Sequence, residues 1–136
     1  YGDEIGMTGG MDPDCRRTMN WTNQDKDLLA YYHKLIKARK SHSALRTGEW
    51  KTLMRHNDRG QLVYLRSDAQ SQCLTFMNKG NQTSVTLATD GTNLAKTTIQ
   101  DGTVFTDVLS GKSYTVQNGK LTVAVAPASG TLLVSK

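Results

Sequence analysis

From Gly48 onward the chain is cut into short pieces by turn residues, and that punctuation restricts it to small antiparallel strands. The separators are Asn57-Asp58-Arg59-Gly60, Lys79-Gly80-Asn81, Asp90-Gly91, Asp101-Gly102, Ser110-Gly111 and Asn118-Gly119. Glycine accepts positive φ without a steric penalty and Asn or Asp tolerates it, so such groups mark hairpins and tight turns. Between them lie runs that favour β structure, predicting strands at 50–55, 61–67, 73–78, 83–88, 103–107, 112–116, 120–125 and 130–134. Short strands at this spacing argue for an antiparallel sandwich or barrel. Residues 89–96 read as a surface loop.

The chain before Gly48 has a different texture. Leu28, Leu29, Tyr32, Leu35 and Ile36 recur at three- and four-residue steps, which predicts one α-helix over 24–41 with those residues on its buried face. Asn23 is the expected N-cap. Asp25 and Asp27 suit the positive end of the helix dipole, and Lys37, Arg39 and Lys40 suit the negative end. The boundary between the two textures falls near 46–50. The fold class is therefore mostly β with one long helix.

Residues 1–21, YGDEIGMTGGMDPDCRRTMNW, fit neither pattern. Gly2, Gly6, Gly9, Gly10 and Pro13 prevent a regular element. The stretch reads as a strand end followed by a long loop that carries polar side chains, a common mounting for site residues. Asp3 and Glu4 are not an acid/base pair: neighbours on a strand point to opposite faces, and retaining glycosidases need two carboxyl groups about 5–5.5 Å apart. One of the two is expected to face inward onto a cation or backbone amides. Asp12 and Arg16 are the stronger candidates. Aspartate accepts two hydrogen bonds and arginine offers a planar fork of donors, so the pair can grip neighbouring hydroxyls. The same pair can equally be an internal clamp that stiffens the loop.

Other chemistries fail on particular residues. Asp12-x-Asp14 begins like a calcium loop, but Arg16 and Arg17 follow where oxygen ligands and a glycine are needed. His33, His42, His56, Cys15 and Cys73 lack zinc spacing, so neither metal nor cofactor is expected. Ser110-Gly111-Lys112-Ser113 resembles the end of a phosphate loop, but Thr106 stands where its first glycine belongs, and a two-residue hairpin turn is the better reading. The 136 residues carry 17 Lys and Arg against 12 Asp and Glu, a net charge of +5. The basic residues form no stripe interleaved with aromatics, so nucleic acid is not an expected partner. No apolar run reaches the roughly 20 residues of a membrane span. Two cysteines far apart in sequence suit a reducing compartment.

The string YGDEIGM, the DPDCRR loop, Trp21 and the helix sequence DLLAYYHKLIKARKSHSAL closely resemble the α-amylase superfamily of glycoside hydrolases. Within it, the match is to the neopullulanase, cyclomaltodextrinase and maltogenic amylase group. The resemblance covers the whole chain. It implies that residues 1–47 are the end of a catalytic (β/α)8 barrel, with its last loop and helix, and that 48–136 are a C-terminal Greek-key-type β-sandwich. Active sites of such barrels lie at the C-terminal ends of the strands, so the loop would line the substrate cleft. Asp12 and Arg16 match the family pair that hydrogen-bonds a glucose unit away from the cleavage point. Thr18 stands where relatives commonly have proline, a change that leaves this pair intact.

The family's three catalytic carboxylates match no position here, so the catalytic set within this chain is empty. The resemblance implies a segment of a retaining α-glucan hydrolase that acts on α-1,4 glucosidic bonds, with action on α-1,6 bonds left open. Its partners would be maltodextrin, cyclodextrin or pullulan and the remainder of the parent barrel. The expected location is the cytoplasm, with secretion left open because the N-terminus reads as missing. Two alternatives concern the β-domain: a carbohydrate-binding module using Trp50, Tyr64 or Tyr114, or a purely structural support.

Overall fold

The computed structural model describes residues 1–88, 94 and 97–135. Two units divide the chain, Tyr1–Lys37 and Ala38–Lys136. Helix α1 (Lys26–Ser41) and the short α2 (Ala44–Thr47) precede the strands. These are β1 (Glu49–His56), β2 (Gln61–Ser67), β3 (Gln72–Asn78), β4 (Ser84–Ala88), β5 (Val104–Asp107), β6 (Ser113–Thr115), β7 (Lys120–Ala124) and β8 (Ser129–Ser135). Each strand expected from the turn signals is present, displaced at its ends by a residue or so.

The strands make a six-stranded sheet in the order β1-β2-β3-β8-β5-β6 and a two-stranded sheet of β4 and β7, with every pairing antiparallel. The chain changes sheet after β3 and again after β4. It does so once more after β6 and after β7, and β8 returns between the non-consecutive β3 and β5. This is the sequence-distant pairing of a Greek-key sandwich.

Alternation builds the core. Along β2, Val63 and Leu65 are buried while Leu62, Tyr64 and Arg66 between them are only half-buried. Val63, Leu65, Leu74, Phe76, Phe105 and Leu133 of the larger sheet form one cluster with Val85, Leu87, Leu121 and Val123 of the smaller. Burying each such side chain is worth about 1.5–3 kcal/mol. Leu94, also buried, joins this cluster. The rest of the expected surface loop at 89–96 lies outside the described residues.

Two polar networks tie the strands to their connections. Asp68, in the β2–β3 turn, accepts from Ser43 Oγ at the start of α2, from the Gln70 N–H at 2.9 Å and from the Ser71 N–H at 2.8 Å. The Ser43 hydroxyl, then these amides, hold its carboxyl below the usual carboxylate range. Asp107, at the end of β5, is buried. It accepts from the Leu109 N–H at 2.8 Å, Ser110 Oγ at 2.6 Å and Thr131 Oγ1 of β8 at 2.6 Å. Burial pushes its pKa up, but the hydroxyl and amide donors together outweigh burial and leave it lowered. The connection from β5 to β6 therefore spans 108–112 and is wider than the two-residue turn expected at Ser110-Gly111.

The segment before the sheets differs from expectation in three ways. Asp3–Ile5 is a turn of 3-10 helix rather than a strand end, closed by a Gly6 N–H bond to Asp3 O of 3.1 Å. The N-cap of α1 is Asp25, not Asn23: Asp25 Oδ1 accepts the Leu28 N–H at 2.9 Å, the N3 donor that a cap serves. Asn23 instead donates its backbone N–H to Asn20 Oδ1 at 2.9 Å. On α1, Leu28, Leu29, Tyr32 and Leu35 are half-buried, but Ile36 is 47% exposed. Among the described residues no helix is long and apolar enough to cross a membrane.

Candidate functional site

The loop between the 3-10 turn and α1 is shaped by its own polar groups. The Asp25 N–H donates to Ile5 O at 3.1 Å and fixes the start of α1 against the opening turn. Farther along, the Asp14 N–H donates to Met11 O at 2.8 Å, and 3-10 helix Asp14–Arg16 begins there. The Asp12–Pro13 peptide is cis. Asn20 Oδ1 accepts the Thr22 N–H as well as the Asn23 N–H, turning the chain so that Trp21 stands 76% exposed. An open depression of about 870 Å³ is lined by residues 5–8 and 17–23 of this unit.

Two aspartate–arginine pairs occupy the loop, and they differ in kind. Arg17 grips Asp14 with both prongs, Nε to Oδ1 and Nη2 to Oδ2, each at 2.8 Å. Asp14 Oδ2 also accepts the Gly10 N–H at 2.8 Å, and Arg17 Nη1 reaches Thr8 O at 3.4 Å. The Arg17 bonds, then that of Gly10, hold the Asp14 carboxyl below the usual range. A Cβ at Gly10 would sit 2.9 Å from Asp14 Oδ2, so a side chain there would push the carboxylate aside. This bidentate arrangement is the internal clamp of the loop.

Asp12 and Arg16 make a single bond, Oδ2 to Nη2 at 2.9 Å, and their side chains are 59% and 75% exposed. Among the described residues Asp12 Oδ1 and the Arg16 Nε and Nη1 groups have no hydrogen-bond partner. The pair thus presents an acceptor and donors side by side, as recognition of adjacent hydroxyls requires. At the level of sequence Asp12 and Arg16 were open between ligand contact and internal clamp; in the loop the bidentate bond is the one between Asp14 and Arg17. Asp14 and Arg17 were legible as a second such pair at three-residue spacing. The Gly10 contact that completes their network had no comparable signal.

Asp3 and Glu4 do not behave as expected. In the 3-10 turn Asp3 is exposed and Glu4 half-buried, and among the described residues neither carboxylate has an ion pair or hydrogen bond. Among the described residues no three His, Cys, Asp or Glu side chains converge on a point that could hold a metal ion. In the sheet unit, Trp50 and Tyr64 stack face to face, with centroids 3.9 Å apart and an interplanar angle of 19°. Each spends one ring face on the other, so they do not form a coplanar platform. Tyr114 packs against the core with Lys112 Nζ 5.2 Å from its ring centre.

No family model matches the chain. An amylopullulanase from Thermoanaerobacter thermohydrosulfuricus is 38% identical over 144 residues, covering 99% of this chain and 9% of that protein. A Bacillus cyclomaltodextrinase is 49% identical over 80 residues, covering 57% of this chain and 14% of that one. Among solved structures, an Anoxybacillus α-amylase superposes with a TM-score of 0.82 at 26% identity, covering 99% of this chain and 28% of its own. The chain is homologous to the C-terminal part of α-amylase-superfamily glycoside hydrolases. The matched part spans only 9% and 14% of the lengths of these two curated relatives. The helix and antiparallel sheets are those of this superfamily's C-terminal region.

Proposed function

We propose that this α-amylase-superfamily segment is the C-terminal portion of a retaining α-glucan hydrolase acting on α-1,4 and α-1,6 glucosidic bonds. The observation that carries this reading is the similarity over nearly the whole chain to an amylopullulanase, joined by the similarity to a cyclomaltodextrinase. In such enzymes a carboxylate attacks the anomeric carbon, and water resolves the covalent glycosyl intermediate. Those groups lie outside this chain. The barrel part ends near residue 47 and the sandwich follows it. The loop supplies one wall of the substrate cleft, where Asp12 and Arg16 bind the hydroxyls of a glucose unit and Asp14 with Arg17 keeps them in place. The sandwich supports the barrel. Two free cysteines, one of them exposed, favour a cytoplasmic setting.

The test is made in the full-length protein. Arg16→Ala and Asp12→Ala each remove one charge-assisted contact, worth about 1.5–3 kcal/mol, so kcat/KM on maltodextrin falls by about 10- to 100-fold. An unchanged kcat/KM overturns the assignment of the pair. The isolated segment releases no reducing sugar from pullulan or cyclodextrin; release by a rigorously purified sample overturns the division of labour.

A further inference from the structure

We propose that Asn118 is a site of spontaneous deamidation and that the Asp101 carboxylate holds its rate down. Asn118-Gly119 is the single Asn-Gly pair in the sequence. It forms the tip of the hairpin into β7, with φ of 51° at Asn118 and 70° at Gly119. The flanking residues bond in both directions, the Gln117 N–H to Lys120 O and the Lys120 N–H to Gln117 O, each at 2.9 Å. Positive φ at both tip positions is the two-residue turn that Asn-Gly favours. Asn118 is exposed, so water reaches it.

The reaction needs only water. The Gly119 backbone nitrogen gives up its proton and attacks the Asn118 side-chain carbonyl carbon. A carbon–nitrogen bond forms there as the bond to the side-chain NH2 breaks, and ammonia leaves with a proton. One water molecule then opens the cyclic imide at either carbonyl, leaving aspartate or isoaspartate at 118. No oxidant or reductant takes part. Glycine has no Cβ to obstruct the ring closure.

Against this exposed, unhindered pair stands one contact. The Gly119 N–H donates to Asp101 Oδ1 at 2.7 Å, from the neighbouring Asp101-Gly102 turn. Removing that proton would place an amide anion against a carboxylate, and a like charge at this range disfavours the charged form. Asp101 therefore stabilises the unreactive N–H. The hairpin tip is protected by its neighbour's charge and not by burial.

Asp101→Ala tests this, because it removes the carboxylate without creating a second Asn-Gly pair, which Asn at 101 would form with Gly102. Conversion at 118, followed by peptide mapping of the amide-to-acid mass gain, should run about tenfold faster in D101A than in the wild type, the worth of one charge-assisted hydrogen bond. Base-catalysed hydrogen exchange removes the same proton, so exchange at the Gly119 N–H should accelerate with it while the Gln117 and Lys120 N–H groups stay protected. An equal or slower conversion in D101A overturns the proposal, as does no conversion at 118 in either protein. Acceleration accompanied by lost protection at Gln117 and Lys120 also overturns it, since the hairpin would then be opening.

Discussion

Replacing Asp107 by alanine should be among the most damaging single changes to the sandwich, although it removes no apolar contact. Thr131 Oγ1 is buried and gives its hydrogen to Asp107 Oδ1 at 2.6 Å. Without that acceptor a buried hydroxyl is unsatisfied, at about 1–3 kcal/mol. The Ser110 hydroxyl and the Leu109 N–H also lose a charged acceptor, and hydrogen bonds to charged groups are worth about 1.5–3 kcal/mol each where they are kept from water. Ser110 is exposed and recovers most of its share from solvent. The sum is about 3–5 kcal/mol for Asp107→Ala and about 1–2 kcal/mol for Asp107→Asn, which keeps an acceptor but not the charge.

Urea unfolding at neutral pH measures both. Acid supplies a second axis. The native pKa of Asp107 is lowered, so its contribution is complete above the ordinary carboxylate value near 3.9 and disappears as pH falls through the native value. Asp14 and Asp68 respond in the same direction. The difference between wild type and Asp107→Asn isolates Asp107, and it should shrink toward zero on acidification below about pH 4. A cost under about 1 kcal/mol for Asp107→Ala, or a difference that stays constant through the acid range, would refute this account.

Thiol labelling should consume one equivalent in the native protein, at exposed Cys15, and a second only after denaturation, because Cys73 is fully buried. Burial pushes the Cys73 thiol up to about 11, so its contribution to stability is complete below the ordinary thiol range near 8.5 and fades as pH rises through about 11; an unfolding free energy flat over that interval in wild type, compared with Cys73→Ala, would contradict it. Phe76→Ala, at a fully buried position between the sheets, should cost about 3–5 kcal/mol by urea titration. Arg17→Ala should speed hydrogen exchange at the Gly10 N–H, since Asp14 loses the partner that fixes it, while the melting midpoint of the sheet unit stays where it was.

The sheets were legible in the sequence because each strand is bounded by its own turn chemistry, and Gly102, Gly111 and Gly119 all adopt the positive φ that their neighbours announced. What was not legible depends on contacts distant in sequence. Asp107 looks like an ordinary turn residue until β8 brings Thr131 beside it, 24 positions away. The opening turn misled for a local reason: Gly2 and Gly6 both take left-handed conformations, at φ of 85° and 73°, and wind DEI into a 3-10 turn where the β-favouring Ile5 suggested extension. Asn23 and Asp25 are both good caps by type, and the bond from Asp25 to Leu28 decides between them. In the site, the residue types of DPDCRR indicated aspartate–arginine pairing, but only geometry separates the saturated pair from the one with groups to spare.

The position of β8 also sets an order of events during synthesis. Remove it and the larger sheet falls into two unconnected pieces, β1-β2-β3 and β5-β6. Thr131 and Leu133, the partners of Asp107 and of the core, would be lost with it. While this chain is being made, everything up to Ala124 can be outside the ribosome and the sheet still be open down the middle. Closure waits for residues 129–135. A nascent sandwich of this connectivity therefore leaves the facing edges of β3 and β5 unpaired until residues 129–135 have emerged, and unpaired edges invite pairing with other chains.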